Sequence, residues 1–236
     1  MKRAVFFDLD GTLLGMDMET FIRGYLRHLS AFAAPMGYEP KDMADAMWQC
    51  TAAVIANDGT TSNFERFWQA FAKLCGQRVY DERDVFHAFY SKEFHAVKDA
   101  CLPDASAARA AVAAAREWAD VVVLSTNPIF PRDAVLSRLS WVGLSAEDFD
   151  YITTYENSSF CKPNPDYYRE IMGKLGLAPE EITMVGNDMQ EDMLASAAAG
   201  ITKRYFVTDH PINRDGTPIT MPHGSLREFP AWLKAQ

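Results

Sequence analysis

The stretch Arg3-Ala4-Val5-Phe6-Phe7-Asp8-Leu9-Asp10-Gly11-Thr12 decides the fold of this 236-residue chain. Ala4 to Phe7, continued by Leu9, predict a strand buried on both faces, as central strands of parallel sheets are. The run ends in chemistry. Asp8 and Asp10 lie two apart at the strand's carboxyl end, and Gly11-Thr12 breaks it with a turn. Open α/β sheets bind ligands at that edge.

Working outward, the pattern after Thr12 turns helical and stays so for about eighty residues. Phe21, Tyr25 and Leu29, with Ile22 and Leu26, mark a first helix stopped at Pro35-Met36-Gly37. Met43, Met47, Cys50 and Val54 mark a second, ended near Asn57-Asp58-Gly59. Ser62 or Asn63 caps a third, carrying Phe64, Phe67, Trp68, Phe71, Leu74 and Cys75 up to Gly76. Asp81 or Asp84 opens a fourth through Val85, Phe86, Phe89 and Tyr90. Helical spacing makes this aromatic block the core of a bundle rather than a cofactor box. Its charged residues, Arg23, Arg66, Lys92 and Lys98 among them, are expected in solvent, with one of them available to touch substrate.

From Leu102-Pro103 the chain alternates helix and strand. Helices are expected over 105–118, from Pro131 to about Leu139, over 166–175 and over 189–199, with a terminal one near 226–234. Strands are expected over 121–124, 149–153, 182–185 and 203–207. That alternation implies right-handed crossovers and a mainly parallel sheet with helices on both faces, an α/β fold. Residues 208–224, rich in Pro, Gly and charge, read as a long surface loop.

Bulk properties narrow the function. The formal charge is −9, with no basic cluster, so nucleic acid and anionic membrane are not expected partners. No apolar run approaches the ~18 residues of a membrane span, and Met-Lys-Arg leads straight into a strand without a secretory segment, so a cytoplasmic location is expected. Cys50, Cys75, Cys101 and Cys161 form no Cys-x-x-Cys pair and read as buried small hydrophobes.

Three strands end in polar groups of one chemical theme: Asp8 and Asp10, then Thr126 and Asn127, then Asn187 and Asp188. If the strands are neighbours, these groups share one pocket. Their types fit phosphoryl transfer, with Asp8 as nucleophile and Asp10 as general acid and base. Hard carboxylate and amide oxygens suit Mg²⁺, held by Asp8, Asp188 or Asn187 and the carbonyl of Asp10, with Asp192 one helical turn on to hold metal-bound water. Thr126, or Ser125 in its place, and Asn127 would bind phosphate oxygens, and Lys162 would supply positive charge.

In this order the motifs resemble the haloacid dehalogenase superfamily. Its first motif is matched by Asp8-Leu9-Asp10-Gly11-Thr12, its second by Thr126, its third by Lys162 and its fourth by Gly186-Asn187-Asp188 with Asp192. The resemblance spans the whole chain. It implies a Rossmann-like core over 1–14 and 100–236, an α-helical cap over 15–99, and Mg²⁺ dependence. An asparagine follows Gly186 where many members have aspartate, so both Asn187 and Asp188 stand as the principal metal ligand. The second aspartate, Asp10, favours phosphate chemistry over dehalogenation.

The expected activity is hydrolysis of a small phosphorylated metabolite through an aspartyl phosphate. A sugar-phosphate mutase uses the same core residues. A receiver-like phospho-aspartate switch shares the acids, the Ser/Thr and the Lys, but such modules are about half this length and lack a helical insert.

Overall fold

In the computed structural model, which describes residues 2–236, the quoted stretch forms β1 (Ala4–Phe7) at the centre of the sheet. Its four residues are fully buried and divide between two cores, Val5 and Phe7 with Leu9 on one face, Ala4 and Phe6 on the other. With no solvated face, the strand reads as an unbroken hydrophobic run rather than an alternation.

The chain then leaves the sheet for α1 (Met18–Ala33), α2 (Pro40–Ile55), α3 (Asn63–Cys75) and α4 (Arg83–Lys92). The first helix starts only at Met18, capped by the Asp17 carboxylate, which accepts from the Thr20 N–H at 2.8 Å. Residues 12–16, which the helical pattern would absorb, form turns that bury Leu13 and Leu14. Helix α3 begins with a reciprocal cap between Ser62 and Glu65. The aromatic stripe packs edge to face, Phe71 against Phe86 at 5.2 Å between ring centres. Asn63 ties the helices to the sheet: buried completely, its amide donates to the carbonyls of Pro128 and Phe160 at 3.2 and 3.3 Å. The helical segment ends beside its starting point, where the Leu102 N–H donates to the Gly15 carbonyl at 2.7 Å and Met16 bridges Cys101.

After this excursion come α5 (Ala105–Trp118), β2 (Val121–Leu124), α6 (Arg132–Trp141), β3 (Tyr151–Ile152), α7 (Asp166–Leu175) and β4 (Ile182–Gly186). The chain closes with α8 (Ala195–Ala198), β5 (Lys203–Val207), β6 (His223–Gly224) and α9 (Phe229–Lys234). Strand order is β3-β2-β1-β4-β5-β6, and neighbouring strands are parallel throughout. This is the Rossmann-like α/β architecture that the alternation implied. Phe7 stands in register with Leu124 on one side and Val185 on the other, so the three strands with polar ends are adjacent. Connections reverse direction between β1 and β4, which opens a crevice at their carboxyl ends.

Four local expectations change. Strand β3 spans two residues rather than 149–153, because Phe149 closes the preceding 3₁₀ turn by donating to the Ala146 carbonyl. The expected helix over 189–199 opens with a π-helical turn, Met189–Leu194, in which the Asp188 carbonyl accepts from both Asp192 and Met193. Residues 208–224 are no free surface loop: Ile212 exchanges 2.8 Å backbone bonds with Asn187 and Met189, and His223–Gly224 adds an edge strand. The terminal helix starts at Phe229, after a turn in which Glu228 accepts from the Ser225 N–H.

All four cysteines are free; Cys161 is buried, and burial pushes its thiol up, away from reactive thiolate. Among the described residues no helix is long and apolar enough to cross a membrane.

Candidate active site

Asp8 continues β1 by one further bond, its N–H donating to the Val185 carbonyl at 2.9 Å. That extension fixes its side chain over the crevice between β1 and β4. Oδ1 accepts from Lys162 Nζ at 2.9 Å, and Oδ2 lies 3.0 Å from the Thr12 hydroxyl. The same hydroxyl lies 2.9 Å from Asn187 Oδ1, so Thr12 couples the ends of β1 and β4. The turn that permits this needs Gly11: its φ is +90°, and a Cβ there would stand 2.2 Å from Asn187 Nδ2.

Lys162 is 1% exposed, with Nζ 2.6 Å from Asp192 Oδ1 in addition to its bond to Asp8. Burial opposes its charge, but Asp192 and Asp8 outweigh that and hold the ammonium protonated well above the ordinary lysine range. Asp192 is equally buried, and its Oδ2 accepts from the Asp188 N–H at 3.0 Å. Its carboxyl therefore braces both Lys162 and the fourth motif. Gly186 makes room for it, because a Cβ there would meet Asp192 Oδ2 at 2.2 Å.

The two fourth-motif residues do different work. Asn187 is committed to structure: Oδ1 faces Thr12, and Nδ2 donates to the His210 carbonyl at 2.6 Å. Asp188 caps the π-helical turn through Oδ1, which accepts from the Gln190 and Glu191 N–H groups at 2.9 Å each. Its Oδ2 pairs with Arg214 Nη1 at 2.8 Å.

Of the second-motif alternatives, Thr126 lines the cavity, whereas Ser125 turns into the sheet and donates to the Phe7 carbonyl at 3.2 Å. The Thr126 carbonyl is anchored from behind by Thr153 Oγ1 at 2.7 Å and the Tyr167 hydroxyl at 2.9 Å. Asn127 also lines the cavity, and its amide donates to Glu191 Oε2 at 3.1 Å. Burial, then Asp188, push the Glu191 carboxyl up to about 7, against the pull of Lys162.

Asp10 faces the same cavity but is held from outside it. Its Oδ2 accepts from Arg138 Nη1, while Oδ1 is buried without a partner. Burial raises its pKa, opposed by the Arg138 charge. Arg138 itself is wholly buried, its guanidinium 4.6 Å above the Phe130 ring and its Nε donating to the Ala134 carbonyl at 3.2 Å.

Thus Asp8, Asp10, Thr126, Asn127, Asn187, Asp188 and Asp192 line one cavity of about 340 Å³, with Lys162 behind Asp8. Arg23, Arg66, Lys92 and Lys98 do not line it. Residues unseen in the sequence reading do: Glu191 and Arg214 line the wall, and Arg138 grips Asp10 from behind it. Arg138 left one signal, its place in the buried stripe Ala134, Val135, Arg138 and Leu139 of α6.

As a metal site the donor set is entirely oxygen. Among the described residues no three His, Cys, Asp or Glu side chains are gathered to enclose an ion. Yet five carboxylates of the cavity, Asp8, Asp10, Asp188, Glu191 and Asp192, face only Lys162, Arg138 and Arg214 as ion-pair partners. That surplus of hard negative oxygen fits a cation held by one or two carboxylates, with substrate and water completing its shell.

The chain belongs to the haloacid dehalogenase-like hydrolase family, whose sequence model matches residues 2–200. Within it, two relatives in sequence are named for phosphate chemistry. One is the pyrophosphatase PpaX of Halalkalibacterium halodurans, 28% identical over 84% of this chain and 80% of its own. The other is the glyceraldehyde 3-phosphate phosphatase of Methanothermobacter thermautotrophicus, 26% identical over 86% of this chain and 84% of its own. In fold the chain is similar to a 2-haloacid dehalogenase from Pseudomonas syringae, with a TM-score of 0.66 at 17% identity, covering 100% of this chain and 99% of that one. It is similar also to a HAD phosphatase from Thermococcus onnurineus, with a TM-score of 0.59 at 19% identity, covering 98% and 97%.

Proposed function

We propose that this hydrolase is a Mg²⁺-dependent phosphomonoesterase that works through an aspartyl phosphate on Asp8. The observation that carries the reading is the meeting of Asp8, Asp10, Thr126 and Asp188 on one cavity, with Lys162 bonded to Asp8. Asp8 and Asp188 are the residues to hold the ion, which would neutralise phosphate charge. Asn187 is neutral and held by Thr12 and His210, whereas Asp188 carries a negative charge whose Oδ2 meets only the half-exposed Arg214, which favours Asp188 as the ligand.

In the first step an Asp8 carboxylate oxygen bonds to phosphorus as the ester P–O bond breaks. Asp10, which lines the cavity, gives the leaving alkoxide its proton. Burial, which raises Asp10, favours the protonated form this step needs. In the second step Asp10 takes a proton from water as the water oxygen attacks phosphorus, releasing inorganic phosphate and restoring the Asp8 carboxylate. Lys162 and the Thr126 hydroxyl hold phosphate oxygens, and Asp192 keeps Lys162 in place. The helical segment 15–99 serves as a lid, its ends meeting beside the first motif. The four free cysteines agree with a reducing, cytoplasmic setting.

Purified protein supplied with Mg²⁺ and a panel of phosphomonoesters should release inorganic phosphate, and Asp8→Asn should abolish release. Undiminished turnover in that variant overturns the mechanism.

A further inference from the structure

The cavity has a floor and a roof of opposite chemistry. Its charged lining residues, Asp8, Asp10, Asp188, Glu191, Asp192 and Arg214, all come from the sheet edge and the 208–224 loop. The roof comes from α1 and α2, through Phe21, Ile22, Leu26, Met47, Trp48 and Ile55, and these helices contribute no charged side chain to the cavity. Ile129, Phe130 and Ile212 extend the apolar surface around the wall. The Tyr25 hydroxyl, one of the roof's few polar groups, is already bonded to the Tyr90 hydroxyl at 2.8 Å. Trp48 and Ile55, seven residues apart on α2, remain 53% and 41% exposed although both border the cavity.

We infer that the group esterified to the phosphate is apolar, an aryl or compact alkyl moiety, rather than a sugar, a short polyol or a second phosphate. This rests on the phosphatase reading and specifies its substrate class. Sugar hydroxyls pressed against Phe21, Ile22, Leu26 and Met47 would lose their water with little beyond the Thr51 hydroxyl to replace it, the situation that makes a site reject a polar ligand. A second phosphate would find no cation on the roof, and Arg214 on the loop is engaged by Asp188. An aromatic or alkyl group loses nothing there and covers the exposed faces of Trp48 and Ile55. Size agrees: an apolar cavity of about 150 Å³ takes benzene, so about 340 Å³ holds a ring and a phosphate together. The inferred substrate departs from the polar compounds for which the two relatives in sequence are named.

The test compares phenethyl phosphate with glycerol phosphate and glucose phosphate on the wild-type protein with Mg²⁺. All three leave as alkoxides, so the comparison reads the roof rather than leaving-group reactivity. Phenethyl phosphate should be preferred in kcat/KM by at least about tenfold, and Leu26→Gln should shrink that preference by lowering the phenethyl value more than either polar one. Preference for either polar ester overturns the inference while leaving the phosphatase reading intact. Calorimetry with two non-hydrolysable phosphonates, one phenethyl and one dihydroxyalkyl, decides the matter without turnover. Tighter binding of the phenethyl compound upholds an apolar site even if no ester is hydrolysed, an outcome that would remove the phosphatase reading alone. Equal or tighter binding of the dihydroxyalkyl compound overturns it.

Discussion

Arg138 and Asp10, 128 residues apart in sequence, form an ion pair in which the arginine side chain has no solvent-exposed surface. The pair fixes one carboxylate oxygen of Asp10 and leaves the other buried without a partner. Replacing Arg138 by Met strands Asp10 in a buried setting and should cost about 3–5 kcal/mol of stability, measured by denaturant unfolding. It should also lower phosphate release: without the opposing charge Asp10 is raised further and stays protonated, so it cannot take the proton from water in the second step. Arg138→Met with wild-type stability would show that the pair contributes nothing.

Lys162 bridges Asp8 and Asp192 at 2.9 and 2.6 Å. Lys162→Met removes the cation proposed to hold phosphate and leaves both carboxylates without this ion pair. A loss of about 10²–10³ in kcat is expected, read by phosphate release, with circular dichroism to confirm that the variant folds.

Gly11 holds a left-handed φ of +90° with its α-carbon facing Asn187. Gly11→Ala adds both backbone strain and a clash at 2.2 Å, and should destabilise the chain by about 1–3 kcal/mol. Because the clash displaces Asn187 from Thr12, activity should fall further than the lost stability explains. A thermal melt beside a kinetic assay separates the two effects.

Asn63 donates its amide to the Pro128 and Phe160 carbonyls. Asn63→Ala leaves those buried acceptors without this donor and should cost about 1–3 kcal/mol. Hydrogen exchange should quicken at the start of α3 more than in β1. Uniform quickening across the chain would contradict a local tether.

Tyr25, Tyr90, Tyr155, Tyr167 and Tyr168 are all raised above the ordinary phenol value of 10.0, burial being the largest cause in each. A group raised in the folded state stabilises it below the unfolded value, and that contribution disappears as pH climbs through the folded values. Stability should therefore begin to fall above about pH 10. Ultraviolet titration of tyrosinate should show these phenols ionising only together with loss of circular dichroism. Their full ionisation in a still-folded chain would contradict their burial.

The sheet and the floor of the site were legible because each depends on short-range patterns. β1, β2 and β4 are apolar runs without a solvated face, and each ends where polar residues meet a turn, so strand and site announce themselves together. Spacing does not separate Asn187 from Asp188, because hydrogen-bond commitments such as those of Asn187 to Thr12 and His210 are not written in it. Arg214 escaped for a related reason: it sits in a stretch without periodicity whose position is set by backbone bonds from Ile212 to Asn187 and Met189. The apolar roof was visible as helix faces, but which face met the cavity depended on how α1 and α2 pack over the sheet edge.

The bond from Leu102 to Gly15 brings the two ends of a long helical excursion to one spot. Joining nearby points constrains the sheet equally whatever lies between them, so strand order and floor residues are indifferent to the identity of the inserted helices. Under the proposed function, reaction belongs to the sheet edge and selectivity to the inserted helices, so a substitution in the second need not disturb the first.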